Sequence, residues 1–226
     1  MSLDKNLISI FENITSKAAL ASYRLVGKKD KIAADKVATD SMRSELNKIE
    51  MSGKIVIGEG ELDKSPMLYI GELVGKKTGP NFDIAVDPLE GTNFTAKNLP
   101  NALSVLAVAK KDNLLHAPDI YMEKIAIGSG FPENLVDLDF DVQKNIERLA
   151  NAKKTTSDKI PACVLKRPRH DQIVNSLNSL GVKINFITDG DVSGVISVSD
   201  QNSGIDIYLG IGGGPGGVLA AAALNC

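Results

Sequence analysis

The chain has 226 residues, 43% of them hydrophobic and 24% charged, which suits a soluble globular protein of one large or two small domains and excludes a disordered tail, a collagen or a coiled coil. With 26 Lys plus Arg against 28 Asp plus Glu, 4% aromatics and no Trp, neither a basic face for duplex nucleic acid nor a stacking platform for single strands is expected. No apolar run reaches the roughly 18 residues that span a bilayer, and no signal-peptide core is present, so no membrane partner and a cytoplasmic location are expected.

Leu7, Ile10, Phe11, Ile14, Ala18, Ala21 and Leu25 recur at helical spacing and predict an amphipathic helix over about 4–26. Ile32, Val37, Met42, Leu46 and Ile49 predict a second helix that closes before Gly53. Lys54–Gly58 reads as a short buried strand, and Pro66 should open a helix, PMLYIGELVGKK. FDIAV (82–86) and LSVLAVA (103–109) read as strands, with Pro88 ending the first. Residues 131–159 are more polar and read as a bridge carrying one helix around Asp141–Ala152. From Ile160 the pattern alternates strand and helix: IPACVL, PRHDQIVNSLNSLG, VKINFIT, DGDVSGVISV, IDIYLGI, PGGVLAAAAL. The expected class is α/β, layered in α+β fashion, with a mostly parallel sheet in the second half. The expected organisation is an N-terminal metal-binding half (1–130), the bridge (131–159) and a substrate-binding half (160–226).

Acidic residues gather beside the strand-like runs: Asp35 in IAAD; Glu59, Glu61 and Asp63 in IGEGELD; Asp83, Asp87 and Glu90 in FDIAVDPLEGT. Carboxylates brought together this way repel one another unless a cation sits among them. Oxygen donors favour Mg²⁺ or Mn²⁺. The two histidines, His116 and His170, are too scattered for a zinc site. Asp87-Pro88-Leu89-Glu90-Gly91-Thr92 would hold two carboxylates and a hydroxyl on one short rigid loop. That arrangement suits hydrolysis in which cations are held and an attacking water is oriented; the plainer alternative is that Asp87 caps a turn and Glu90 is solvated.

The second half offers handles for phosphate. Lys166-Arg167-Pro168-Arg169 follows a strand and opens a helix, as an anion site or a solvated basic turn. Asp189-Gly190-Asp191 begins another helix, where an Asp alone serves as an N-cap. Gly212-Gly213-Gly214-Pro215-Gly216-Gly217 reads as a loop whose amides can approach a phosphate or sugar closely. It also satisfies G-x-G-x-x-G, but no acid follows some 20 residues on as a dinucleotide site requires. Cys163 lies in an apolar strand and reads as core rather than nucleophile.

Taken in order, IVIGEGELDKSPMLYIGE, DIAVDPLEGT, APDIYMEK, KRPRHD, ITDGDV and YLGIGGGPGGV strongly resemble the class II (GlpX-type) fructose-1,6-bisphosphatases, from about Phe11 to Leu224. The DP-[ILV]-[DE]-G-[ST] segment alone marks the wider lithium-sensitive, metal-dependent sugar and inositol phosphatase superfamily. The resemblance implies a sugar-phosphatase fold of alternating helix and sheet layers, shortened at the C-terminus. It implies removal of the 1-phosphate of fructose 1,6-bisphosphate in gluconeogenesis, with two or more Mn²⁺ or Mg²⁺ ions. Carried over by residue, Asp35, Glu59, Asp87 and Glu90 stand at metal positions. Glu90, Gly91 and Thr92 border the phosphate, and Thr92 is the water-orienting hydroxyl. Asp63 matches an acidic position important for activity, and Lys31 a basic position near the metal site. Tyr121, Arg167, Pro168, Arg169, Asp189, Gly190, Asp191 and Gly213 match positions that hold substrate.

Two departures stand out. The family reads GG-x-PEG where this chain has Gly213-Gly214-Pro215-Gly216-Gly217, so Gly216 lacks a carboxylate found at a metal position. Relatives are also expected to continue past Leu224. Three alternatives therefore stay open: sedoheptulose 1,7-bisphosphate as substrate, an inositol phosphate as substrate, or a sugar-phosphate-binding protein without turnover. A homodimer or homotetramer is expected.

Overall fold

The computed structural model describes residues 5–60 and 67–226, and its contacts divide the chain into two units, Met1–Pro118 and Asp119–Cys226. In the first, helix α1 (Lys5–Tyr23) buries Phe11, Ile14 and Ala18, one stripe at 3–4-residue spacing. Helix α2 (Lys31–Leu46) starts at Asp30, whose side chain accepts from Ala33 N at 2.9 Å, and buries Ala34, Ala38, Met42 and Leu46. Both stripes pack on a four-stranded sheet of β1 (Ser52–Ile57), β2 (Leu73–Val74), β3 (Asn81–Glu90) and β4 (Leu103–Lys110), in the order β2-β1-β3-β4. Strands β1 and β3 are parallel, and β2 and β4 run antiparallel to their neighbours. Ile55, Val74, Phe82, Ile84 and Val86 supply the sheet's side of this core. Each large side chain buried there contributes about 1.5–3 kcal/mol. A one-turn helix, α3 (Thr92–Ala96), follows β3.

Two expectations for this unit are corrected. Pro66, expected to open a helix, lies outside the described residues; Met67–Lys77 form turns and the short strand β2 instead. Leu68, Gly71 and Gly75 sit in the left-handed region (φ 52°, 94° and 92°), which breaks a right-handed helix. Nor does Pro88 end its strand: β3 runs through it to Glu90. Proline has no N–H to give to the ladder, so the pairing with β4 skips. Asp87 faces Val105 and Glu90 faces Leu103, three steps on β3 against two on β4, which is a one-residue bulge.

In the second unit the sheet order is β5-β8-β6-β7, from β5 (Tyr121–Ile127), β6 (Ala162–Leu165), β7 (Ile184–Ile187) and β8 (Ile207–Gly213). Strand β6 is parallel to β7 and β8, and only β5 is antiparallel, so the sheet is mostly parallel as expected. On one face, α4 (Val142–Ala152) and α5 (Asp171–Ser179) bury Ile146, Leu149 and Leu177 against Ala162, Val164, Ile207 and Leu209. On the other face lie α6 (Asp191–Ile196) and α7 (Gly214–Leu224). Gly194 of α6 sits against Tyr208, and Gly217 of α7 against Met122 and Lys124. Cys163 on β6 is 2% exposed, and burial pushes its thiol up to about 11, which fits a core role. Among the described residues no helix is long and apolar enough to cross a membrane.

Candidate functional site

In the first unit the site is built at the ends of β1 and β3. The bulge sets the geometry there. Residues three apart on a regular strand face opposite sides, but one extra residue returns Glu90 to the side of Asp87. The two side chains are hydrogen-bonded to each other. Asp87 also accepts from Leu89 N at 3.2 Å. A second register shift, between Ile55 and Ile57, lies on the β1 side of β3, and His116 Nδ1 meets the Val56 carbonyl there at 2.6 Å.

Glu59 follows β1, in a loop stitched to the chain beyond it by Glu59 N to Leu68 O (3.0 Å) and Ile70 N to Gly60 O (2.8 Å). Gly58 makes this possible, since a Cβ there would fall 1.9 Å from the Leu68 carbonyl. Asp35 comes from α2, one helical turn after the exposed Lys31.

The electrostatics tie these carboxylates together. Burial raises Glu59 to about 7, and the Asp35 charge adds to the shift. Asp87 is raised well above the usual carboxylate range, first by burial, then by Glu90, Glu59 and Asp35. Asp35 is raised by burial. Four acids that penalise one another's charge are therefore within interaction range. Their donor chemistry, all carboxylate oxygen, fits a hard divalent cation. Among the described residues no three of them close into a ready ligand shell, and Asp87 and Glu90 are turned toward each other instead.

Gly91 adopts φ 81° at the N-cap of α3, and a Cβ there would strike the Phe94 ring at 2.6 Å, so this turn requires glycine. Thr92 follows as the first residue of α3, half-buried. Asp83 belongs elsewhere: it is buried, and its Oδ2 accepts from Asn113 N (3.1 Å) and Leu114 N (3.4 Å), anchoring the chain after β4. Asp63 and Glu61 lie outside the described residues.

In the second unit, Tyr121, Arg167, Pro168, Arg169, Asp189, Gly190, Asp191 and Gly213 gather where β6, β7 and β8 end and β5 begins. That end of a parallel sheet is the usual place for ligands in α/β units. Arg167 donates from Nη1 to the Lys166 (2.8 Å) and Thr188 (2.9 Å) carbonyls, and its Nη2 lies 3.9 Å from Asp189 Oδ1. Arg169 stacks over the Tyr121 ring at 4.6 Å and donates Nε to Ile211 O at 2.8 Å.

Sequence reasoning missed His170 as a part of this arrangement. Fully buried, it meets Leu165 O through Nδ1 (2.5 Å) and accepts from Ile211 N through Nε2 (2.8 Å), clamping the Arg167–Arg169 segment to β8. Its place between Arg169 and Asp171 was the only signal.

The helix starts also differ from expectation. Gly190, in the left-handed region (φ 63°), is the N-cap of α6, and Asp191 is its first residue, so neither aspartate is the cap residue. The glycine run is not a loop: Gly212 and Gly213 end β8, and Gly214 begins α7. Lys124, unremarked in the sequence, is buried on β5 and pairs with Asp191 at 2.6 Å.

A family model for bacterial, glpX-encoded fructose-1,6-bisphosphatase matches residues 5–226. "Fructose-1,6-bisphosphatase class 2" of Haemophilus influenzae is 43% identical over 99% of this chain and 67% of its own length. "Fructose-1,6-bisphosphatase 1 class 2" of Escherichia coli is 44% identical over 95% of this chain and 64% of its own length. This chain thus spans about two thirds of the length of these relatives. Among solved structures, an extragenic suppressor from Pyrococcus furiosus covers 97% of this chain and 83% of its own, with a TM-score of 0.48 at 14% identity. On the extent of the family match and these identities, the chain belongs to the glpX-type class II fructose-1,6-bisphosphatase family.

Proposed function

We propose that the chain hydrolyses the 1-phosphate of fructose 1,6-bisphosphate, giving fructose 6-phosphate and phosphate, as a cytoplasmic homo-oligomer serving gluconeogenesis. The observation that carries this reading is the pairing of Asp87 with Glu90 on one side of a bulged strand, within charge range of Glu59 and Asp35. Membership of the family supports the substrate. The DPLEGT segment supports placement in the wider metal-dependent sugar and inositol phosphatase superfamily.

Asp35, Glu59, Asp87 and Glu90 would hold divalent cations, Mn²⁺ or Mg²⁺. Bound there, such a cation supplies charge neutralisation for the phosphate and acidifies a water. The chain's own residues do the rest. Gly91 and Thr92 border the phosphate, and the Thr92 hydroxyl orients the attacking water. Glu59, and from its place in the motif Asp63, would accept the water's proton, and Lys31, one turn before Asp35 on α2, adds positive charge. In the second unit, Arg167 and Arg169 take a phosphate through the donors their backbone bonds leave over. Tyr121, Pro168, Gly190 and Gly213 shape the sugar's surroundings, and Asp189 and Asp191 accept from its hydroxyls.

The test is release of phosphate from fructose 1,6-bisphosphate by the purified chain with Mn²⁺ and with Mg²⁺, against the Asp87→Ala variant. The expected result is release by the parent chain alone. Equal rates for the two, or turnover only of sedoheptulose 1,7-bisphosphate or an inositol phosphate, would overturn it. Sugar-phosphate binding without release would point to a non-catalytic role.

A further inference from the structure

Lys124 is the middle residue of β5 and its side chain is 6% exposed. Its Nζ lies 2.6 Å from Asp191 Oδ2, and the Asp191 side chain is 12% exposed. A buried ion pair is rarely kept for stability alone, because well-packed apolar residues of the same volume do as well or better. This one is also accommodated at a cost in backbone freedom. A Cβ on Gly212 would fall 2.1 Å from Asp191 Oδ2, and one on Gly217 would fall 3.3 Å from Lys124 Cε and 2.5 Å from Met122 Sδ. A Cβ on Gly216 would lie 3.3 Å from Asp191 Oδ1 and 3.6 Å from Lys124 Nζ. Gly212 and Gly217 of the GGGPGG run therefore leave room for this ion pair and the neighbouring Met122 side chain.

We propose that Lys124 is a positioning residue for the sugar-phosphate site: its buried ammonium fixes the Asp191 carboxylate where β8 ends and α6 begins. The proposal rests on the reading of Asp191 as a residue that holds substrate. With Oδ2 committed to Lys124, Oδ1 is the oxygen left to accept from a sugar hydroxyl. The ammonium also cancels a negative charge that would repel an anionic bisphosphate. Lys124 itself stays beneath the carboxylate and does not touch the ligand.

The experiment compares steady-state kinetics, thermal midpoints and calorimetric binding of fructose 6-phosphate for the full chain and its Lys124→Met, Asp191→Asn and K124M/D191N variants. Losing one charged hydrogen bond at the site should raise KM by about tenfold or more, with kcat changed far less. K124M should melt below the parent because it strands a buried carboxylate, whereas K124M/D191N should melt close to the parent and keep the raised KM. If K124M does not fold, Lys124→Gln, which can still donate to the Asp191 carboxylate but carries no charge, replaces it and should show the same raised KM; a parent KM in that variant overturns the proposal. An active parent chain whose K124M or double variant keeps the parent KM overturns the proposal and leaves the proposed function standing. A parent chain that neither releases phosphate nor binds fructose 6-phosphate removes the proposed function, and this proposal with it.

Discussion

Asp87 and Glu90, three residues apart on one strand, lie on the same side of it and share a hydrogen bond, because the strand carries one extra residue at Pro88. Two carboxyls in that relationship share a proton when no cation is present, and a bound cation would separate them. Replacing Asp87 by Asn should lower phosphate release by about 10²–10³-fold, the usual loss when one electrostatic contact to a reacting group goes. In cation-free buffer near neutral pH the same variant should melt higher than the parent, since the amide can still donate to Glu90 while the buried acid that must take up a proton on folding is gone. Rate assays and thermal melts on one preparation check both.

Glu59 gives a pH dependence of definite sign. Its carboxyl titrates at about 7 in the folded chain against an ordinary 4.5. A raised acid contributes stability that is fully present below the unfolded value and is lost as pH rises through the folded value. The cation-free chain should therefore lose stability between about pH 4.5 and 7. Glu59→Gln should flatten that part of the curve. Mn²⁺ or Mg²⁺ should raise the melting temperature more at pH 8 than at pH 5, because cations compete with protons for the same oxygens.

Gly91→Ala meets two penalties: φ of 81° and a contact of 2.6 Å with the Phe94 ring. The expected cost is about 1–3 kcal/mol of stability. It should also reduce kcat by shifting Glu90 and Thr92 on either side. Chemical denaturation and kinetics report the two effects separately.

His170→Ala should be among the more damaging changes in the second unit. It strands the Leu165 carbonyl and the Ile211 amide, each buried group costing about 1–3 kcal/mol. Because Arg169 donates to the carbonyl of that same residue, Ile211, KM for a sugar bisphosphate should rise as well. Arg169→Ala should raise KM without the large loss of stability. A melt and a substrate titration on both variants distinguish clamp from contact.

Periodicity made most of the fold legible: α1 and the alternation after Ile160 follow from apolar spacing that a local window can see, whereas α2 is a helix as expected but leaves Ile32 exposed and buries Ala34 and Ala38 instead. What it hid has physical reasons. Strand β5 escaped because its first residues, Tyr121 and Met122, are exposed and the first buried position holds a charge, Lys124. The helix expected after Pro66 failed on left-handed residues, and Leu68 is one whose side chain gives no warning of it. Motif positions named the acids, but not that Asp83 serves a turn while Asp87 and Glu90 are aligned by a bulge. A bulge is a property of pairing between strands, so no single segment records it.

Both cysteines, Cys163 and Cys226, fall in the second unit, and one of them is a fully packed thiol in β6. Alkylation kinetics thus become a built-in clock for the opening of that unit alone. Cys226, exposed, should react at once and calibrate the reagent. Cys163 should react only as fast as β6 is released from its neighbours, while the first unit stays silent throughout.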